Sequence, residues 1–235
     1  EVREAVDFCR YYAKQASNLK SIELEGFDGV KRLSSREGLG VFVCISPWNF
    51  PLAIFLGQIT AALIAGNTVV AKPAEQTSLI AARAIELMFA AGFPTGVIQL
   101  LPGRGGEIGH ALTSHDAIAG VAFTGSTATA QRINVTLAER DAKPVPFIAE
   151  TGGQNAMIVD STALPEQVVR DVIRSAFASA GQRCSALRVL FVQEDVADRI
   201  IHLIKGAMSE LQVGIPYLHK TDVGPVIDAN AKNKL

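Results

Sequence analysis

Apolar residues recur at helical spacing through the first twenty positions, where Ala5, Val6, Cys9, Ala13, Ala16 and Leu19 form one stripe and predict an amphipathic helix. The pattern lapses over 21–37, a polar stretch ending Ser34-Ser35-Arg36-Glu37 that reads as a strand-like arm or linker. From Gly40 onward, short apolar runs alternate with longer helical patterns. Val41-Phe42-Val43-Cys44-Ile45 is unbroken, as a strand covered on both faces requires. Residues 52–65 predict a helix closed by Gly66 at C′. Thr68-Val69-Val70-Ala71 predicts a strand, and a helix capped by Thr77 or Ser78 runs to Ala91, where Gly92 and Pro94 end it. Strands at 97–101, 121–123 and 145–149 enclose a short helix at 107–112 and another at 128–139. After Gly153 come strand 156–159, helix 166–180, strand 189–193 and helix 196–211. Such alternation predicts an α/β fold with a doubly wound, mostly parallel sheet. The expected division is an N-terminal helix and arm over 1–38, a first α/β domain over 39–152, and a second region over 153–235 hinged at Gly152-Gly153.

The chain has 235 residues and is 49% hydrophobic, enough for a sizeable core and one or two domains. A net charge of −1 and 6% aromatic residues give no basic footprint for nucleic acid. The longest apolar run, 51–65, is interrupted by Gly57, Gln58 and Thr60 and is too short and polar to span a bilayer. No signal-peptide pattern is read ahead of the first helix. Cys9, Cys44 and Cys184 are odd in number and widely spaced, so neither a disulfide framework nor a metal site is expected. Reduced thiols suit a cytoplasmic protein. Cys44 reads as inert core and Cys9 as helix packing.

Several segments carry chemistry beyond packing. Gly103-Arg104-Gly105-Gly106-Glu107-Ile108-Gly109 approximates a dinucleotide fingerprint, but its third glycine falls one position late, and a flexible strand-to-helix turn explains it equally well. Phe123-Thr124-Gly125-Ser126 follows a strand and opens a helix, so its free N–H groups and the helix dipole suit a pyrophosphate. An ordinary N-cap by Ser126 is the competing reading. Lys72 brings a cation to the carboxyl edge of the sheet, or is simply a surface lysine. Cys184, in Gly181-Gln182-Arg183-Cys184-Ser185, has a cation and a hydroxyl beside it, surroundings that favour a thiolate over a buried hydrophobe. Asn49 follows a strand within Pro47-Trp48-Asn49-Phe50-Pro51, where a turn asparagine is common. Glu150 ends a strand before Thr151-Gly152-Gly153, where a solvated charge is common. A thiol, an amide and a carboxylate are the groups that carry an aldehyde to an acid through a thioester.

Pro47-Trp48-Asn49-Phe50-Pro51, Lys72-Pro73-Ala74-Glu75, Phe123-Thr124-Gly125-Ser126, Glu150-Thr151-Gly152-Gly153 and Gly181-Gln182-Arg183-Cys184 resemble, in order, the motifs of the NAD(P)-dependent aldehyde dehydrogenases. The resemblance runs through the whole chain and is strongest to the branch acting on glutamate γ-semialdehyde, which in bacteria often forms part of a bifunctional proline-utilisation enzyme. It implies an NAD domain followed by the first part of a catalytic domain, and a fragment of a chain roughly twice as long. It implies Cys184 as nucleophile, Asn49 with the Cys184 backbone N–H as oxyanion donors, and Glu150 as the base for deacylation. NAD contacts are implied for Ile45, Ser46, Pro47, Trp48, Lys72, Ala74, Glu75, Gly105, Phe123, Thr124, Gly125, Ser126, Thr151 and Gly152. Glu75, holding a ribose hydroxyl with Lys72, would repel a 2′-phosphate and favour NAD over NADP. Thr151 departs from the leucine of many relatives.

For the substrate, the resemblance implies Glu4 as ligand to an α-ammonium, Phe50 against the aliphatic stem, and Arg183 with Ser185 near the nucleophile. On residues alone, Glu4 is equally a solvated helix charge and Arg183 a surface residue. The arm at 21–37 is implied to build a homo-oligomer contact, and a covalently linked proline dehydrogenase domain is implied in the parent chain. Two other readings stay open: a dehydrogenase for another aldehyde such as succinate semialdehyde, and a cofactor-binding module without turnover. A cysteine peptidase is disfavoured, since His110, His115, His202 and His219 form no recognisable Cys–His signature.

Overall fold

The computed structural model describes residues 1–233, and they divide into two compact units, Glu1–Thr151 and Gly152–Leu235. In the first, helix α1 (Val2–Gln15) passes through a short 3₁₀ turn into an antiparallel hairpin of β1 (Ile22–Glu25) and β2 (Lys31–Ser34). The arm is therefore a hairpin. Its turn uses Gly29 at φ 71°, and the Asp28 carboxylate accepts from the Val30 N–H and from the Arg32 guanidinium.

Strands β3 (Val41–Ile45), β4 (Thr68–Lys72), β5 (Ile98–Leu100), β6 (Ile118–Gly125) and β7 (Phe147–Thr151) form one parallel sheet in the order β5-β4-β3-β6-β7. The chain winds outward from β3 through β4 to β5, then returns to β6 on the other side of β3, which makes the sheet doubly wound. Alternation of side chains across the strands sorts the core into two layers. Phe42 and Cys44 of β3 pack with Val69, Ala71 and Ile98 under α2 (Ala53–Ile64) and α3 (Ser78–Ala90). Val43 faces the opposite way, with Val121 and Phe123, toward Leu112 of α4 (Gly105–Ser114) and Ala130 and Ile133 of α5 (Thr127–Ala138). Helix α2 is apolar almost all round because it is covered twice, by the sheet and by α1, whose Phe8 ring would lie 3.2 Å from a Cβ on Gly57. Gly66 closes α2 at φ 86°.

In the second unit, β8 (Asn155–Val159) and β9 (Leu187–Val192) pair in parallel, and α6 (Pro165–Phe177) and α7 (Glu194–Glu210) cover one face through Val159, Val168, Val172, Leu187 and Ile200. A short helix, α8 (Ala229–Lys232), is capped by the Asp228 carboxylate.

The structure corrects three local expectations. Thr77 and Ser78 do not cap α3 through their side chains; both hydroxyls donate back to the Ala74 carbonyl. Strand β6 begins at Ile118, earlier than its apolar triplet suggests, because Gly120 interrupts the pattern while leaving room for the Phe42 ring. Helix α6 stops at Phe177, since Ser179 and Ala180 turn to φ 58° and 53°.

Candidate active site

The carboxyl edge of the first unit's sheet gathers most of the residues singled out in that half of the chain. Parallel register sets Lys72 beside Ile45, Ile45 beside Phe123, and Phe123 beside Ala149. One residue further along, Thr124 stands beside Glu150 and Gly125 beside Thr151, while Ser46 extends β3 by donating its N–H to the Lys72 carbonyl at 3.1 Å. Pro47, Trp48, Asn49 and Phe50 follow in a half-buried loop. Because β4 and β6 leave β3 in opposite directions, this is the point where a crevice opens at the strand ends.

A cleft of about 700 Å³ runs from there between α4 and α5, lined by Ile45, Lys72, Glu75, Gly105, Phe123 and the length of α5 from Ala128 to Glu139. Lys72 is buried, and its Nζ donates to the Pro73 carbonyl at 3.1 Å. Burial lowers its pKa, with the Glu75 carboxylate partly opposing the shift. Ser46 is also buried, and its hydroxyl has no protein partner. The Ser126 hydroxyl caps α5 by accepting from Thr129 N–H at 3.2 Å, so the N-cap reading of this residue holds while the other free N–H groups of the first turn remain available. Gly125 is required sterically, as a Cβ there would lie 2.6 Å from the Phe123 ring.

Two residues that sequence patterns passed over organise this edge. Gln58 of α2 donates from Nε2 to the Ile45 carbonyl at 3.2 Å and to the Thr124 hydroxyl at 3.0 Å, tying the ends of β3 and β6 together. A polar residue inside an otherwise apolar helix was the available signal. The Glu1 carboxylate accepts from Leu52 N–H at 3.1 Å and Ala53 N–H at 3.4 Å, anchoring the first turn of α1, which carries exposed Glu4, to the start of α2.

The second unit holds Cys184 exposed in the loop between α6 and β9, beside exposed Ser185. The preceding Arg183 donates from Nη2 to the Arg174 and Ser175 carbonyls at 2.9 and 2.8 Å, capping α6. Asn155 Nδ2 donates to the Cys184 carbonyl at 2.7 Å and to the Ala186 carbonyl at 2.9 Å. Of the other cysteines, Cys44 is buried, with a thiol pushed up to about 12 by desolvation, and Cys9 is exposed, with partial desolvation raising its thiol. Among the described residues no three His, Cys, Asp or Glu side chains converge as metal ligands, and no helix is long and apolar enough to cross a membrane.

Comparison with known proteins agrees with this architecture. The model of the aldehyde dehydrogenase family matches residues 1–235. Over its whole length the chain is 58% identical to the bifunctional protein PutA of Klebsiella aerogenes, spanning 17% of that relative. It is 39% identical to 1-pyrroline-5-carboxylate dehydrogenase of Anoxybacillus flavithermus, of which it spans 46%. A crystal structure of a Bradyrhizobium japonicum Proline Utilization A (PutA) mutant superposes with a TM-score of 0.97 at 60% identity, over 99% of this chain and 24% of that one. The chain thus spans less than half the length of these relatives, and by family match, identity and fold it belongs to the aldehyde dehydrogenase family.

Proposed function

We propose that the full-length protein oxidises L-glutamate γ-semialdehyde, the open form of 1-pyrroline-5-carboxylate, to L-glutamate with NAD. The observation that carries this reading is 39% identity across the entire chain to a 1-pyrroline-5-carboxylate dehydrogenase. The bifunctional relative supports a parent chain that includes a proline dehydrogenase domain, and the exposed β1–β2 hairpin offers an arm for homo-oligomerisation.

The crevice of the first unit fits a dinucleotide: it is polar where a phosphate needs donors, and it holds a buried hydroxyl and a buried ammonium with room for further partners. Family members work with NAD(P). In this chain Lys72 and Glu75 would hold the adenosine ribose, Ser126 and the α5 N-terminus the pyrophosphate, and Ile45–Trp48, Ala74, Gly105, Phe123–Gly125, Thr151 and Gly152 the remainder. Glu75 favours NAD, since its carboxylate repels a 2′-phosphate. When bound, the nicotinamide supplies the hydride acceptor.

The protein's own groups do the rest. Cys184 attacks the aldehyde carbon, forming a C–S bond, and the resulting oxyanion accepts from the Asn49 amide and the Cys184 backbone N–H. Glu150 takes the proton of the water that hydrolyses the thioester, which frees the acid and restores the thiol. Glu4 pairs with the α-ammonium, Ser185 donates to the α-carboxylate, Phe50 covers the stem, and Arg183, held at the end of α6, adds positive charge nearby.

Steady-state rates on aldehydes with and without the α-amino group test the substrate. Glutamate semialdehyde is expected to exceed its des-amino analogue, glutarate semialdehyde, by about tenfold or more in kcat/KM, the scale of a charged hydrogen bond. Equal values overturn the assignment. A second reading applies to residues 1–235 alone: the nucleotide crevice lies within the first unit, so this polypeptide binds NAD without turnover.

A further inference from the structure

The loop that presents Cys184 is held in a costly backbone conformation. After α6 ends at Phe177, Ser179 (φ 58°, ψ 31°), Ala180 (φ 53°, ψ 33°) and Gly181 (φ 66°) lie in the left-handed region one after another. For the two that carry a Cβ this costs about 1–2 kcal/mol each. Such strain persists only where surrounding contacts over-determine the chain. The contacts here are polar ties between the loop and the flanking α6 and β9, and between those two elements. Arg183 grips the carbonyls at the end of α6, Arg188 Nη2 donates to the Gly181 carbonyl at 2.7 Å, and the Ser175 hydroxyl accepts from Leu187 N–H at 3.2 Å. Among the described residues, one side chain ties the nucleophile itself. Asn155, the first residue of β8, spends both protons of its carboxamide nitrogen on the carbonyls of Cys184 and Ala186, at 2.7 and 2.9 Å.

We propose that Asn155 is a positioning residue for the Cys184 thiol. By fixing the carbonyls of Cys184 and Ala186, it sets the peptide plane that follows Cys184 and so restrains the Cα from which the thiol projects. This rests on Cys184 being the nucleophile. The carboxamide lies at the start of a strand anchored in the second unit's core, so the loop's geometry is built on a rigid element although the loop itself is exposed.

The test uses the full-length protein. Asn155→Ala removes both donors, and Asn155→Asp keeps the shape but sets a carboxylate against two carbonyl oxygens. Both are expected to lower kcat about 100-fold, the cost of a misplacement near 1 Å, while KM for aldehyde and for NAD stay within about threefold. The first-turnover rate of NADH formation should fall with kcat. Wild-type kcat in either variant overturns the proposal, as does loss of fold in both, which would make the role merely structural. Cys184→Ser separates the two claims: turnover retained there sinks the nucleophile reading, whereas a dead Cys184→Ser beside active Asn155 variants sinks the positioning role alone.

Discussion

Cys44 and Lys72 end up in the same sheet with opposite consequences of burial. Desolvation raises the Cys44 thiol from 9.0 to about 12. Between those values the unfolded chain loses a proton that the native chain keeps, so stability falls as pH rises from about 9 toward 12. Cys44→Ala should flatten that part of the curve in urea melts taken across the alkaline range, and an unchanged slope would contradict the account. Lys72 is shifted the other way, its pKa lowered by burial. The native state therefore bears a penalty at neutral pH that lessens as pH rises toward 10.5, where the unfolded lysine also loses its proton. Lys72→Met is expected to hold or raise the melting temperature while weakening NAD binding about tenfold, the loss of one charge-assisted hydrogen bond, read by calorimetry.

At the level of elements, the β3–β6 pairing leaves no room for a side chain at position 120. A Cβ on Gly120 would lie 2.2 Å from the Phe42 ring, which is itself buried between β3 and the helices. Gly120→Ala should therefore cost about 1–3 kcal/mol in chemical denaturation, as overpacking does. The elements of the first unit were legible in the sequence because their signals are local. The unbroken run at 41–45, Gly66 after α2, and Ser126 after β6 each act within a few residues. The end of α6 was not legible. Ala176-Phe177-Ala178-Ser179-Ala180 reads as helix by propensity, and what holds it left-handed is a pair of side-chain ties, from Arg188 to the Gly181 carbonyl and from Arg183 to the end of α6, which propensity does not register. Gln58 was hidden for the same reason. Its role depends on β3 and β6 becoming neighbours, 66 residues separating it from Thr124.

On the scale of the whole molecule, the residues of the proposed chemistry come from both compact units: Asn49 and Glu150 belong to the first and Cys184 to the second. A polypeptide of residues 1–235 is expected to bind NAD in a calorimetric titration and to produce no NADH from glutamate semialdehyde; turnover by that polypeptide would contradict this. The central claim is a covalent thioester on Cys184, and trapping it tests that most directly. In the full-length Glu150→Gln variant, deacylation should be slowed about 100–10,000-fold, the typical contribution of a general base. Acid quench after mixing with NAD and 1-pyrroline-5-carboxylate, followed by peptide mass spectrometry, is predicted to find a glutamyl adduct on the peptide containing Cys184. An unmodified Cys184 peptide, or an adduct on Cys9 or Cys44 instead, would contradict the account.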